Sequence, residues 1–319
     1  MGQPVPAVFR RLGGRAGGWG RVAEQPGGAA SMLQIPFRVR GINQIIFVPL
    51  HAHKDDMAIK AAFFDIDGTL VSFSTHTVPA STADALARAK QQGLRIYIAT
   101  GRPVAIINNI GPVRHLVDGY ITFNGAYTFV GGRDVVVRPI PRRDVEAMLA
   151  DARRRDYTVL VCGKHRIAVC NHHEVFDEIF VRGLGVTNID TGLTPDQLGD
   201  EPILQLTPFF TEADEREILP LMPGSISARW NPRFTDITAR GADKGSALRL
   251  LAGHEGLKLS ECIAFGDGGN DLSILRAAGV GIAMGNATDA VKEAADYVTD
   301  SVDEDGIRNA LLRLGVLSE

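Results

Sequence analysis

From Lys60 onward, short apolar runs without polar alternation take turns with amphipathic segments. Ala61–Phe64, Leu94–Ala99, Gly119–Phe123, Cys262–Phe265 and Val280–Ala283 read as strands, and Thr82–Gln91, Val104–Asn109, Asp271–Ala278 and Thr288–Ala294 as helices. A strand that is apolar on both sides must have both faces covered. The pattern therefore predicts an α/β fold, a doubly wound parallel sheet with a Rossmann-like core and helices on each side. In the middle of the chain the pattern changes. Tyr127–Val130 and Val135–Arg138 flank Gly131-Gly132-Arg133-Asp134, a hairpin signal. Helices at Arg142–Arg154, Glu174–Arg182 and Glu212–Leu219 then mix with strands at Thr158–Cys162, Arg166–Cys170, Ile203–Pro208 and Ile226–Trp230. This is an α+β block set into an α/β domain. The expected division is a disordered extension over 1–56, a core in two parts (57–138 and 237–319), and an inserted α+β cap domain over 139–236.

Charge and cysteine content narrow the partners. The net charge is −3, but residues 1–56 carry seven Lys/Arg against three acids, which leaves the remainder at −7. An acidic body argues against nucleic acid as a partner. The longest apolar candidate for a membrane anchor, Ile45 to Leu50, is far too short to span a bilayer. Three cysteines without a Cys-x-x-Cys spacing fit a reducing, cytoplasmic compartment better than a disulfide framework or a zinc cage. Residues 1–40 are rich in Gly and Arg. An organellar transit peptide would also be Arg-rich, but it would be an amphipathic helix, which this glycine content opposes. An upstream extension from a misassigned start, with the folded chain beginning near Met57, fits better. No heptad or long exposed edge is visible, so a monomer is the default.

Four strand ends carry the chemistry. In Phe63-Phe64-Asp65-Ile66-Asp67-Gly68-Thr69-Leu70, two carboxylates at i and i+2 project to one side of extended chain. Ligands of open α/β sheets bind beyond the carboxyl ends of the strands, where these carboxylates fall. In Ile98-Ala99-Thr100-Gly101-Arg102-Pro103, a hydroxyl and a glycine N–H open a helical turn, which suits a phosphate or is a plain N-cap. In Gly241-Ala242-Asp243-Lys244-Gly245-Ser246, a lysine opens a helix after the long insertion. In Phe265-Gly266-Asp267-Gly268-Gly269-Asn270-Asp271, glycines alternate with carboxylates. A pyrophosphate there would meet two negative charges, so a dinucleotide site is rejected. Asp65, Asp67 and Asp267 instead offer hard oxygen donors of the kind Mg²⁺ takes.

Taken in order, these motifs resemble the haloacid dehalogenase superfamily of phosphotransferases, in its Cof-type branch with a type-two cap, and the resemblance extends over residues 57–319. The resemblance implies an Mg²⁺-dependent phosphatase of small phosphorylated metabolites, hexose phosphates foremost, working through an aspartyl-phosphate. Asp65 would be the nucleophile and Asp67 the general acid and base. Mg²⁺ would be held by Asp65, the Asp67 carbonyl and Asp267. Thr100, Gly101, Lys244 and Asn270 would bind the phosphate or substrate, with Asp271 orienting Lys244. The cap would close over the site as a lid, with Lys164, His165, Arg229, Trp230 and Asn124 as candidate substrate-side groups. His172-His173-Glu174 reads as a helix start, because it lacks an i, i+4 His pair. Two other readings remain, a sugar-phosphate phosphotransferase such as a mutase and a non-catalytic sugar-phosphate-binding regulator.

Overall fold

The computed structural model describes the strand backbones at 32–39 and 42–49, and residues 59–183, 185, 186 and 188–318. Two compact units result, Met1–Ala58 and Ile59–Glu319. In the first, β1 (Met32–Val39) and β2 (Ile42–Pro49) pair as antiparallel strands. The rest of the expected disordered extension lies outside the described residues.

The second unit is built on an eight-stranded sheet. Its strands are β3 (Ala61–Phe64), β4 (Arg95–Ala99), β5 (Gly119–Thr122), β6 (Tyr127–Val130) and β7 (Arg133–Val137), followed later in the chain by β13 (Cys262–Gly266), β14 (Val280–Ala283) and β15 (Tyr297–Val298). Their order is β15-β14-β13-β3-β4-β5-β6-β7. The six strands from β15 to β5 are parallel, and the β6–β7 hairpin closes one edge antiparallel. The continuous apolar runs have the predicted cause. Along β3, Ala62 and Phe64 pack into one core and Ala61 and Phe63 into another on the opposite face. Helices α1 (Ala80–Gln91) and α8 (Gly306–Arg313) cover the first face, while α5 (Lys244–His254), α6 (Leu272–Ala277) and α7 (Asp289–Ala294) cover the second. Phe64 stacks on Phe265 and Phe63 on Tyr97, each at 4.8 Å between centroids, which pins β3 to its two neighbours.

Between β7 and α5 lies a separate antiparallel sheet of five strands: β8 (Val159–Gly163), β9 (Ile167–Cys170), β10 (Ile203–Pro208), β11 (Ser225–Asn231) and β12 (Phe234–Ala239), in the order β11-β12-β10-β8-β9. Helices α2 (Arg142–Arg155) and α4 (Glu212–Ile218) pack over one face through Val145, Met148, Ala152 and Ile218. The other face, with Leu160, Cys162, Ile167 and Val169, packs with Ile106 and Phe123 of the core. The short helix α3 (Glu174–Phe176) runs on into a π-helical stretch, Asp177–Gly183. The cap sheet ends at Ala239, three residues past the boundary expected from sequence. Its last strand holds Thr235, Asp236 and Thr238 and so lacks an apolar run.

Candidate active site

The strand ends at one edge of the parallel sheet converge on a cavity of about 830 Å³ between core and cap sheet. Asp65, Asp67, Thr100, Gly101, Asn124, Asp267 and Asn270 line it from the core side. Asp65 follows β3 directly, and its N–H donates to the Phe265 carbonyl at 3.2 Å. The chain then folds tightly, with Gly68 N–H donating to Val71 O and Val71 N–H to Ile66 O. Gly68 adopts φ +79°, and a Cβ there would stand 2.3 Å from Asp267 Oδ2, so only glycine brings the first and fourth loops this close. Thr69 donates to Asp267 Oδ1 at 3.0 Å across the same gap, and Asn286 donates to the Gly68 carbonyl at 2.8 Å.

Lys244 is the first residue of α5, whose N-cap Asp243 accepts from Ser246 N–H at 2.8 Å. The lysine is fully buried beneath the cavity. Its Nζ lies 2.7 Å from Asp65 Oδ1 and 2.6 Å from Asp271 Oδ1. Burial opposes its charge, but Asp271 and Asp65 more than offset this and hold the ammonium above the ordinary lysine range. Asp271 Oδ2 accepts the N–H groups of Asp267 and Gly268, each at 3.0 Å. Both Asp271 oxygens are thus committed, one to Lys244 and the other to the loop backbone. Gly266 is required for this contact, since a Cβ there would meet Asp271 Cβ at 2.4 Å.

Four carboxylates, Asp65, Asp67, Asp267 and Asp271, face two cations, Lys244 and Arg102. Burial pushes Asp65 well above the usual carboxylate range, against the pull of Lys244, and the neighbouring carboxylates add to the rise. Burial, then Asp271, pushes Asp267 up to about 7. Carboxylate oxygens of Asp65, Asp267 and Asp271 fall within 4.8 Å of one another. Such crowding leaves negative charge in excess, which a hard divalent cation would neutralise. The donor set therefore fits Mg²⁺. With Asp271 committed elsewhere, Asp65 and Asp267 are the carboxylates left to hold it.

Thr100 follows β4 directly and is buried, and its hydroxyl accepts the Arg102 N–H at 3.1 Å. Gly101 passes so close to Asn124 that a Cβ would sit 3.0 Å from its Oδ1. Asn270 Nδ2 donates to that same Oδ1 at 3.0 Å, which joins the β5–β6 turn to the fourth loop. Sequence reasoning quoted Arg102 but gave it no role. The structure sets it as a fork on Asp67, Nε to Oδ2 at 2.8 Å and Nη2 to Oδ1 at 2.7 Å.

The cap candidates fare differently. Lys164 pairs with Asp134 at 2.6 Å and lies over the Tyr127 ring, tying the β8–β9 turn to the core hairpin instead of facing Asp65. His165 uses its backbone N–H to bind Glu201. Arg229 lines the cavity, but Glu215 at 2.6 Å and several backbone carbonyls hold its guanidinium. The Trp230 side chain lies outside the described residues. His172 and His173 pair separately with Asp177 and Asp156. No helix among the described residues is long and apolar enough to cross a membrane.

A sheet of this order, with an aspartate beyond its central strand and a lysine, a hydroxyl and further carboxylates around it, defines a phosphoryl-transfer site. The sequence description of the haloacid dehalogenase-like hydrolases matches residues 62–311, and the chain belongs to that family. It is similar to a solved Bacteroides sugar phosphatase of the same superfamily, subclass IIB, BT4131, at 47% identity and TM-score 0.75, covering 81% of this chain and 100% of that one. It is 30% identical to YkrA of Bacillus subtilis (strain 168) over 265 residues, 82% of this chain and 100% of that protein. It is 26% identical to the 5-amino-6-(5-phospho-D-ribitylamino)uracil phosphatase YcsE of the same organism, over 82% of this chain and 98% of that protein. The protein is a phosphatase of this superfamily.

Proposed function

We propose that the protein is an Mg²⁺-dependent phosphatase of hexose phosphates that transfers the phosphoryl group to Asp65 and then to water. The observation that carries this reading is the Asp65–Lys244–Asp271 chain, buried at the cavity floor with Asp65 at its open end. Lys244 fixes one Asp65 oxygen and so aims the carboxylate. Asp65 attacks phosphorus, the P–O bond to the sugar breaks, and Asp67 gives its proton to the departing oxygen. Water then attacks the same phosphorus, the P–O bond to Asp65 breaks, Asp67 takes the water's proton, and inorganic phosphate leaves. Both Asp67 oxygens are held by Arg102, so one side of that fork must open before the carboxyl can carry and deliver a proton. Thr100, the Gly101 N–H and Asn270 receive the non-reacting phosphate oxygens at the cavity wall. Mg²⁺ held by Asp65 and Asp267, with the Asp67 carbonyl as a further donor, would neutralise charge on the phosphate.

The likeness to a sugar phosphatase supports the substrate class. The test is product analysis with glucose 6-phosphate and the full chain. Release of one inorganic phosphate per free hexose is expected, lost with chelator and restored by Mg²⁺. An isomerised sugar phosphate without phosphate release would instead establish a phosphotransferase. Binding without turnover would establish a regulator.

A further inference from the structure

The roof of the cavity carries a polar cluster that the reaction at Asp65 does not use. Gln205 and Thr207 sit two residues apart on β10, on the face that lines the cavity, and β12 brings Asp236 beside them. All three are buried, at 2%, 1% and 7% exposure. Around them the wall is apolar, with Leu160, Ile167 and Phe180. Gln205 Nε2 donates to Asp236 Oδ1 at 3.0 Å and to Thr207 Oγ1 at 3.2 Å, and Thr207 donates to the same Asp236 oxygen at 2.8 Å. A carboxylate only accepts, so the amide must present its NH₂ to Asp236, and that fixes Oε1 on the other side. Gln205 Oε1 is buried there with no hydrogen-bond partner. On the same cavity wall, Arg229 Nη2 is a buried donor that also lacks one, while Glu215 balances the charge of that guanidinium.

Buried polar atoms left unpaired cost stability, and three apolar side chains would fill this space without that cost. One acceptor and one donor kept open in a cavity are what a hydroxyl group satisfies, because it both gives and takes a hydrogen bond. We propose that Gln205, held by Thr207 and Asp236, forms a leaving-group subsite that reads a hydroxyl of a polyol. This deepens the phosphatase reading and rests on it. Substrate O–H donates to Gln205 Oε1. Thr207 and Asp236 position that amide.

The test compares the full chain with its Gln205→Met variant, which keeps side-chain length and removes the amide. The readout is the ratio of kcat/KM for glucose 6-phosphate to kcat/KM for p-nitrophenyl phosphate, which has no hydroxyls to read. The subsite requires at least a tenfold fall in that ratio, carried mainly by KM for the sugar phosphate. An unchanged ratio, or equal loss on both substrates, overturns the proposal in favour of a structural role. Thr207→Val, with a smaller fall of the same sign, serves if Gln205→Met does not fold. Binding separates this proposal from the phosphatase reading. Glucose 6-phosphate is titrated calorimetrically into Asp65→Asn with and without Gln205→Met. If the wild type hydrolyses no ester but Gln205→Met still weakens binding tenfold, the phosphatase reading fails and the subsite stands. Equal binding, or none, overturns the subsite.

Discussion

The floor and the roof of one cavity are built on opposite plans. The floor is crowded with charge, its carboxylates and Lys244 buried against one another and fixed by backbone N–H groups. The roof is a largely apolar sheet face on which Gln205, Thr207 and Asp236 are joined in a small network, with Arg229 on the same wall. Chemistry common to every phosphate ester belongs on a rigid, preorganised floor. Selection among leaving groups belongs on a surface where single hydrogen bonds decide. The contrast teaches that floor substitutions should strike all substrates alike, whereas roof substitutions should sort them.

The largest effect falls on Asp65, the proposed nucleophile. Asp65→Asn should lower kcat by about 10⁴-fold or more on sugar and aryl phosphates equally. A loss confined to sugar phosphates would break the contrast. Lys244→Ala comes next. It leaves Asp65 and Asp271 buried without their cation, so urea unfolding should show a loss of about 3–5 kcal/mol. Steady-state kinetics should show kcat down by about 10²–10³-fold.

How much of this the sequence displays differs between the two ends. Asp65, Thr100 and Asp267 stand where apolar runs stop, and glycine marks each stop within a few residues. Asp65, Thr100 and Asp267 could therefore be placed before their convergence was known, and so could the parallel sheet that converges them. Arg102 stood inside one of these motifs, but its fork on Asp67 depends on a side-chain direction that spacing does not encode. The roof is written across strands instead. Gln205 and Thr207 are the polar members of an otherwise apolar run, and their i, i+2 spacing was the available signal for a shared face. Asp236 belongs to a strand whose Thr-Asp-Ile-Thr composition hides it, and only pairing of β12 with β10 brings it to Gln205. Lys164 misled for a related reason. A turn lysine has reach, and the nearby Asp134 and Tyr127 claimed it.

A subtler effect follows from the raised carboxylates. Asp65 and Asp267 both take up protons more readily folded than unfolded, Asp267 up to about 7. Between their ordinary range near pH 4 and pH 7 the metal-free folded state binds more protons than the unfolded chain, so stability falls as pH rises. Thermal melts in chelator should therefore give a lower Tm at pH 7.5 than at pH 5.5, with Mg²⁺ restoring most of the difference at pH 7.5. A metal-free Tm that rises over that interval would count against a charge-strained floor. The smallest effect belongs to the cap of α5. Asp243→Ala removes the bonds to Ser246 and should cost about 1 kcal/mol in chemical denaturation, with Lys244 still in place.

The proposed covalent step can be tested directly. Enzyme quenched during turnover of glucose 6-phosphate and reduced with borohydride should yield homoserine at position 65, because an acyl phosphate is reduced where a free carboxylate is not. Peptide mass spectrometry finding that conversion at residue 65, and at no other aspartate, is the expected result. Full-rate phosphate release with residue 65 unmodified and another residue converted would contradict the assignment of the nucleophile.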